Sequence, residues 1–311
     1  MDKISWGIIG CEDVAEVKSG PAFQQVPNSE LVAVMRRNGH KAKDFARRHN
    51  VPQWFDNVDE ILRNEGINAV YIATPPSTHL QYALLALNAG KHVYLEKPMT
   101  MDSKESLQLV EAVGSSGGKL TVAHYRRKLP AFLKVKEFLD AGAIGDVRLI
   151  DLQILQPLKS GIIAQTDANW RVDPEISGGG YFHDLAPHQI DLMFHYFGPY
   201  VLAKGISHNQ NRTYKANDIV NGLISFKNGA HFRGCWCFNV AEQDKRDRCV
   251  IYGSEGSISF SFYGESVLLK TNSNEQIFPG INPPHVQLPM IQATVDYFLD
   301  RGPNPCSVEE G

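Results

Sequence analysis

Short apolar runs recur along the first third of the chain, at Ile4–Ile9, Leu31–Met35, Ala69–Ala73, His92–Leu95 and Leu120–Ala123. Between them apolar residues return every three to four positions, the period of an amphipathic helix, as over Lys41–His49 and His79–Ala89, with Gly90 closing the latter. Asp102 followed three residues on by Glu105 reads as a capping box, opening a helix that Gly117-Gly118 ends. Strand and helix alternating at this spacing predict an α/β fold with a doubly wound parallel sheet over residues 1–123. Beyond Ala123 the texture changes. One helix, from about Ala131 to Ala141, precedes strands at Arg148–Leu155, Val201–Ser207, Ile219–Phe226, Ala230–Phe238, Arg248–Tyr252, Ser257–Phe262 and Ser266–Leu269. Asn228-Gly229 is a hairpin turn, and strands joined by tight turns are antiparallel. Residues 124–311 are therefore expected to form an α+β domain with an open, mostly antiparallel sheet, its last segment from about 286 able to pack back on the first domain. An open sheet leaves a face to cover, and self-association, as a homodimer or homotetramer, covers it most simply.

Composition narrows this picture without redirecting it. A chain of 311 residues exceeds what one core supports, which agrees with two domains. With 43% hydrophobic residues, 21% charged residues and a net charge of −3, nothing points to a nucleic-acid or membrane partner. The N-terminus MDKISWGIIG has no basic segment leading into a long apolar one, and no run approaches the roughly 18 apolar residues of a membrane span, so a cytoplasmic location is expected. The five cysteines, Cys11, Cys235, Cys237, Cys249 and Cys306, are odd in number and scattered, which favours neither a disulfide framework nor a four-thiolate zinc site, and no metal is expected.

Candidate chemistry begins at the first turn. Gly7-Ile8-Ile9-Gly10-Cys11-Glu12-Asp13-Val14-Ala15 follows a strand and opens a helix, the setting of a dinucleotide fingerprint. Gly10 suits the tight turn and Ala15 close helix packing, but Glu12 replaces the glycine that lets backbone approach a pyrophosphate, and a carboxylate there repels phosphate unless it turns away. The second strand ends Met35-Arg36-Arg37-Asn38, with two guanidiniums and no acid. This suits the 2′-phosphate of NADP better than the ribose of NAD, or else is a solvated basic strand end. Thr74-Pro75-Pro76 ends another strand, and His79 begins the next helix. The run HVYLEKPMT delivers Glu96 and Lys97 to a strand end ahead of Pro98. Proline disfavours helix at the residue before it, so Lys97 projects into the crevice beyond the strand ends as an acid, base or cofactor contact, or stands as a solvated loop lysine. Farther on, Trp170-Arg171 and Gly178-Gly179-Gly180 precede a helix from about Leu185 to Phe197, with Pro187 in its first turn. Asp184 and His188, four apart, share a face at its start. They are either an oriented proton-transfer pair or an N-cap and a core histidine.

In their order and spacing these features resemble the Gfo/Idh/MocA family of nucleotide-dependent oxidoreductases over nearly the whole chain: the turn from Gly7 to Val14, Ala73-Thr74-Pro75 with His79, Glu96-Lys97-Pro98, Tyr125-Arg126-Arg127, Trp170-Arg171, and the glycine run with Asp184 and His188. The resemblance implies a Rossmann domain and an oligomerising second domain. It implies hydride transfer with NADP or NAD on a secondary hydroxyl or ketone of a sugar, cyclitol or related polyol. Lys97, Asp184 and His188 would be catalytic, meeting at the nicotinamide beside a cis bond before Pro98. Cofactor contacts would come from Gly10, Cys11, Glu12, Asp13, Val14, Arg36, Arg37, Thr74, Pro75, His79, Glu96, Lys97, Trp170 and Arg171, and substrate contacts from Tyr125, Arg126, Asp184 and His188. A non-catalytic nucleotide-sensing regulator or scaffold on the same fold is the competing class, which has no reason to keep both Lys97 and His188. Ser307-Val308-Glu309-Glu310 reads as a capping box where family members carry a last helix, so the chain is expected to be truncated there.

Overall fold

The computed structural model describes residues 1–12, 15–162 and 169–311, with only the backbone at positions 17 and 18. Two compact units emerge. Met1–Tyr125 with Pro283–Gly311 forms the first, and Arg126–Asn282 the second.

The first unit holds a sheet of β1 (Ile4–Ile9), β2 (Ser29–Met35), β3 (Gln53–Phe55), β4 (Ala69–Ile72), β5 (His92–Leu95) and β6 (Leu120–Val122), all parallel, in the order β3-β2-β1-β4-β5-β6. β4 is buried along its whole length and β5 in all but its first residue, as expected for parallel strands covered on both faces. Around them run α1 (Gly20–Phe23), α2 (Gly39–Arg48), α3 (Val58–Arg63), α4 (His79–Asn88) and α5 (Ser103–Ser115). The capping box behaves as read: the Asp102 carboxylate accepts from the N–H groups of Lys104 and Glu105 at 2.8 and 3.0 Å. The helix expected straight after the first turn is different. A π-helical stretch, Ala15–Ser19, leads into one short turn at Gly20–Phe23, where Pro21 supplies no N–H to a preceding carbonyl. The first unit closes with α9 (Leu288–Phe298), whose Phe298 packs on Trp6 with ring centroids 5.7 Å apart.

The second unit is built on β7 (Val147–Leu155), β8 (Tyr200–His208), β9 (Ile219–Phe226), β10 (His231–Cys237), β11 (Arg246–Gly253), β12 (Gly256–Phe260), β13 (Ser266–Thr271) and β14 (Glu275–Pro279), in the order β14-β13-β12-β11-β7-β10-β9-β8. All neighbours are antiparallel except β7 and β10. Strand β7 alternates strictly: Ile150, Leu152 and Ile154 are buried, while Asp151 and Gln153 face the other side. That outer face carries a shallow cavity of about 630 Å³ and an Asp151–Arg233 ion pair of 2.7 Å. It also exposes Ile206 and Leu223. The helices of this unit are α6 (Pro130–Asp140), α7 (Pro174–Ser177) and α8 (Gly180–Phe197).

Candidate active site

In the first unit the strand order reverses between β1 and β4, and adjacent strands whose connections diverge leave a crevice at their C-terminal ends. Gly10 sits there with φ +93°; a Cβ on it would lie 2.8 Å from Thr74 Cγ2 and 2.9 Å from Thr74 N. Only glycine lets the turn pack this closely against the end of β4. Glu12 does not stand open toward the turn, because its Oε1 pairs with Arg36 Nη2 at 2.8 Å. The pairing offsets the charge that Glu12 would otherwise set against a pyrophosphate. Cys11 is buried, and burial pushes its thiol up to about 12, so it is no nucleophile at neutral pH. Arg37 is exposed. Asp13 and Val14 lie outside the described residues.

Two expected cofactor contacts turn out to hold the crevice from behind. His79 is fully buried, with Nε2 2.8 Å from the Thr74 carbonyl and Nδ1 2.9 Å from the Pro98 carbonyl. A neutral imidazole carries one N–H, so His79 donates to one of these carbonyls and rests against the other, filling the space between the Thr74 and Pro98 loops. Burial lowers its pKa, outweighing the two carbonyls that favour the charged ring. Glu96 is likewise engaged at both oxygens. Oε1 accepts from the Tyr71 hydroxyl and from Gln287 Nε2, each at 2.6 Å, and Oε2 accepts from the Lys97 backbone N–H at 3.2 Å. Tyr94 in turn donates to Gln287 Oε1 at 3.0 Å. Burial first, with the Glu96 charge second, holds both tyrosine hydroxyls well above the usual phenol range, so they remain donors. Lys97 itself is half-buried at the end of β5, and the Lys97–Pro98 bond is cis.

In the second unit α8 begins at Gly180, five residues before its expected start, because Gly178 and Gly180 adopt positive φ (+86° and +78°) and let the chain turn sharply out of α7 into a new helix. Asp184 is therefore inside the helix and not its cap, and Pro187 lies past the first turn. Asp184 Oδ2 lies 3.3 Å from Arg171 Nε, and the Arg171 guanidinium stacks 4.5 Å from the Trp170 ring. His188 follows one turn later, buried, and Asp191 completes the stripe. Sequence reasoning assigned no role to Asp191 or to its partner Arg127, a buried bidentate pair whose closest contact is 2.6 Å. An Arg-Arg-Lys run gives no sign of which arginine is paired. Arg126, expected on substrate, is buried. Its guanidinium donates to the Phe262 carbonyl and lies 4.6 Å from the Tyr263 ring. Tyr125 is buried, 5% exposed. Among the described residues no group of three His, Cys, Asp or Glu is placed to hold a metal, and no helix is long and apolar enough to cross a membrane.

Residues 4–124 match the model of an oxidoreductase family with an NAD-binding Rossmann fold, and residues 132–259 match the GFO/IDH/MocA C-terminal domain. A relative from Formosa agariphila, oxidoreductase P35, is 56% identical over 308 residues, spanning 99% of this chain and 95% of its own. The chain belongs to the Gfo/Idh/MocA oxidoreductase family. Another relative, 1,5-anhydro-D-fructose reductase of Ensifer adhaerens, is 26% identical across 81% of this chain and 74% of its own. Among solved structures, levoglucosan dehydrogenase in complex with NADH superposes with a TM-score of 0.85 at 21% identity, covering 96% of this chain and 91% of its own, a likeness of fold.

Proposed function

We propose that this protein transfers a hydride between a nicotinamide dinucleotide, NADP in preference to NAD, and a secondary hydroxyl or ketone of a sugar, cyclitol or related polyol. The observation that carries the reading is Lys97, held half-buried at the end of β5 in the strand-end crevice by the buried Glu96 anchor. The Gly10 turn, Thr74, Pro75, Arg36 and Arg37 would hold the dinucleotide, and the same role is assigned to Trp170 and Arg171. The bound nicotinamide would supply the hydride acceptor or donor. His188 takes the hydroxyl proton in oxidation and returns it in reduction, a task open to an imidazole, which can both accept and donate a proton. Asp184, braced by Arg171, orients the imidazole, and Lys97 hydrogen-bonds the oxygen on which negative charge develops. Sugar-acting relatives such as 1,5-anhydro-D-fructose reductase support the substrate class. Self-association on the outer face of the second-unit sheet belongs to the same reading.

The test is a titration with NADP, NADPH, NAD and NADH followed by nicotinamide fluorescence, then a cofactor-reduction screen over sugars and cyclitols. With a substrate found, Lys97→Ala and His188→Ala are each expected to lower kcat by about 10²–10⁴-fold while the fold is retained. Unchanged turnover in both variants removes the assignment, and dinucleotide binding without turnover on any polyol points to a regulator.

A further inference from the structure

We propose that the Glu12–Arg36 pair sets which nicotinamide dinucleotide the protein accepts, with Glu12 acting as the brake on the 2′-phosphorylated form. The inference rests on the dinucleotide reading above. In this fold an acid near the end of the second strand accepts the adenosine 2′-hydroxyl, and an arginine in that region receives a 2′-phosphate. Here β2 ends at Met35, and Arg36-Arg37-Asn38, which follow, supply only the arginines. The missing carboxylate is present in space. Glu12, from the turn after β1, places Oε1 2.8 Å from Arg36 Nη2. The two strand ends are tied together where this happens, since the Gly10 N–H donates to the Met35 carbonyl at 2.9 Å. The pair is also reachable: 45% of the Glu12 side chain and 25% of the Arg36 side chain are exposed to solvent.

A carboxylate and a phosphate are alternative partners for one guanidinium, because both accept from its fork. A 2′-phosphate arriving at Arg36 therefore meets an anion already in place and has to displace it. The exposed pair is weak enough to be displaced, and the cost of displacing it falls on the phosphorylated form alone. A 2′-hydroxyl faces no such conflict and gains an acceptor in Glu12. Arg37, exposed at the next position, offers the phosphate a second cation, so Glu12 narrows the preference for the phosphorylated form without reversing it. The acid that discriminates between the cofactors thus comes from the fingerprint turn, at the very position where the fingerprint ordinarily has glycine.

The experiment titrates the full chain with NADH and with NADPH, followed by nicotinamide fluorescence. Glu12→Gln keeps the size of the side chain and removes its charge. It is expected to raise NADPH affinity relative to NADH by about tenfold, a gain that shrinks as salt is raised. In an Arg36→Ala background the same substitution is expected to move the ratio by less than about twofold, since the partner through which Glu12 acts is gone. A ratio left unchanged by Glu12→Gln overturns the inference. So does a full-sized gain without Arg36, and so does an equal gain for both cofactors, which would mark Glu12 as a general repeller of pyrophosphate. Binding of neither cofactor by the folded wild type and variants would end the dinucleotide reading and this inference with it; binding with an unchanged ratio ends this inference alone.

Discussion

Gln287 stands immediately before α9 and donates to Glu96, 191 positions earlier in the chain, at the bottom of a fully buried polar network. Its amide is in a position to donate to Glu96 while accepting from Tyr94, an arrangement that an apolar side chain of similar size destroys. Gln287→Leu is expected to destabilise the protein by about 1–3 kcal/mol, the cost of stranding buried polar partners. The same change should lower kcat more than it raises KM, because Glu96 anchors the Lys97 backbone. Urea unfolding and steady-state kinetics on the same preparation would check both, and a variant with wild-type stability would deny the network its structural role. None of this was legible beforehand. Glu96 and Lys97 were visible as a strand-end pair, but a glutamine distant in the chain carries no pattern that announces its partner. The same holds for Glu12 and Arg36: each attracted notice separately, as a misplaced acid and an unpaired base, and only the hydrogen-bonded strand ends reveal that each answers the other.

Elements with strong periodicity were read correctly. β1, β5 and β9 fall on their expected residues, and α4 and α6 within a residue or two at each end, since alternation and helical spacing are local properties. β3 and β14 were missed because each is a short strand at the edge of its sheet, where one side needs no pairing and exposure weakens the apolar signal. α8 was started too late because glycine reads as a loop former, whereas here Gly180 opens the helix. Two predictions belong at this scale. Asp102→Ala removes the cap of α5 and should cost about 1 kcal/mol, measurable as a lowered thermal midpoint. On the outer face of β8 and β9, Ile206 is 74% and Leu223 61% exposed. A charge placed there, as in Leu223→Lys, is expected to shift the protein to smaller species in sedimentation velocity. If the wild type already sediments as a monomer at micromolar concentration, that face is not a self-association surface.

For the whole molecule, protonation links the buried histidines to stability. Burial holds His79, His92 and His183 below their ordinary value of 6.5, so in each the neutral ring is the folded form. An unfolded chain binds these protons more readily than the folded one, and stability therefore rises with pH through this range. Expressed downward, nothing is lost above pH 6.5 and stability declines as pH falls below it, toward the lower folded-state values. Urea midpoints at pH 7.5 and pH 5.5 should differ in that direction, and a flat profile would contradict it. The division into two units has a different kind of consequence, one for the order in which the chain is made. The first unit is interrupted: it needs Tyr94 and Trp6 from its beginning, Gln287 and Phe298 from near its end, and the Cys306 carbonyl, which accepts from the Val122 N–H at 3.0 Å. On the ribosome, residues 126–282 have all emerged before those last partners exist. The second unit, inserted in mid-sequence, is thus free to finish first, while the older segment waits, its Trp6 without Phe298 and its Glu96 without Gln287, until those partners emerge.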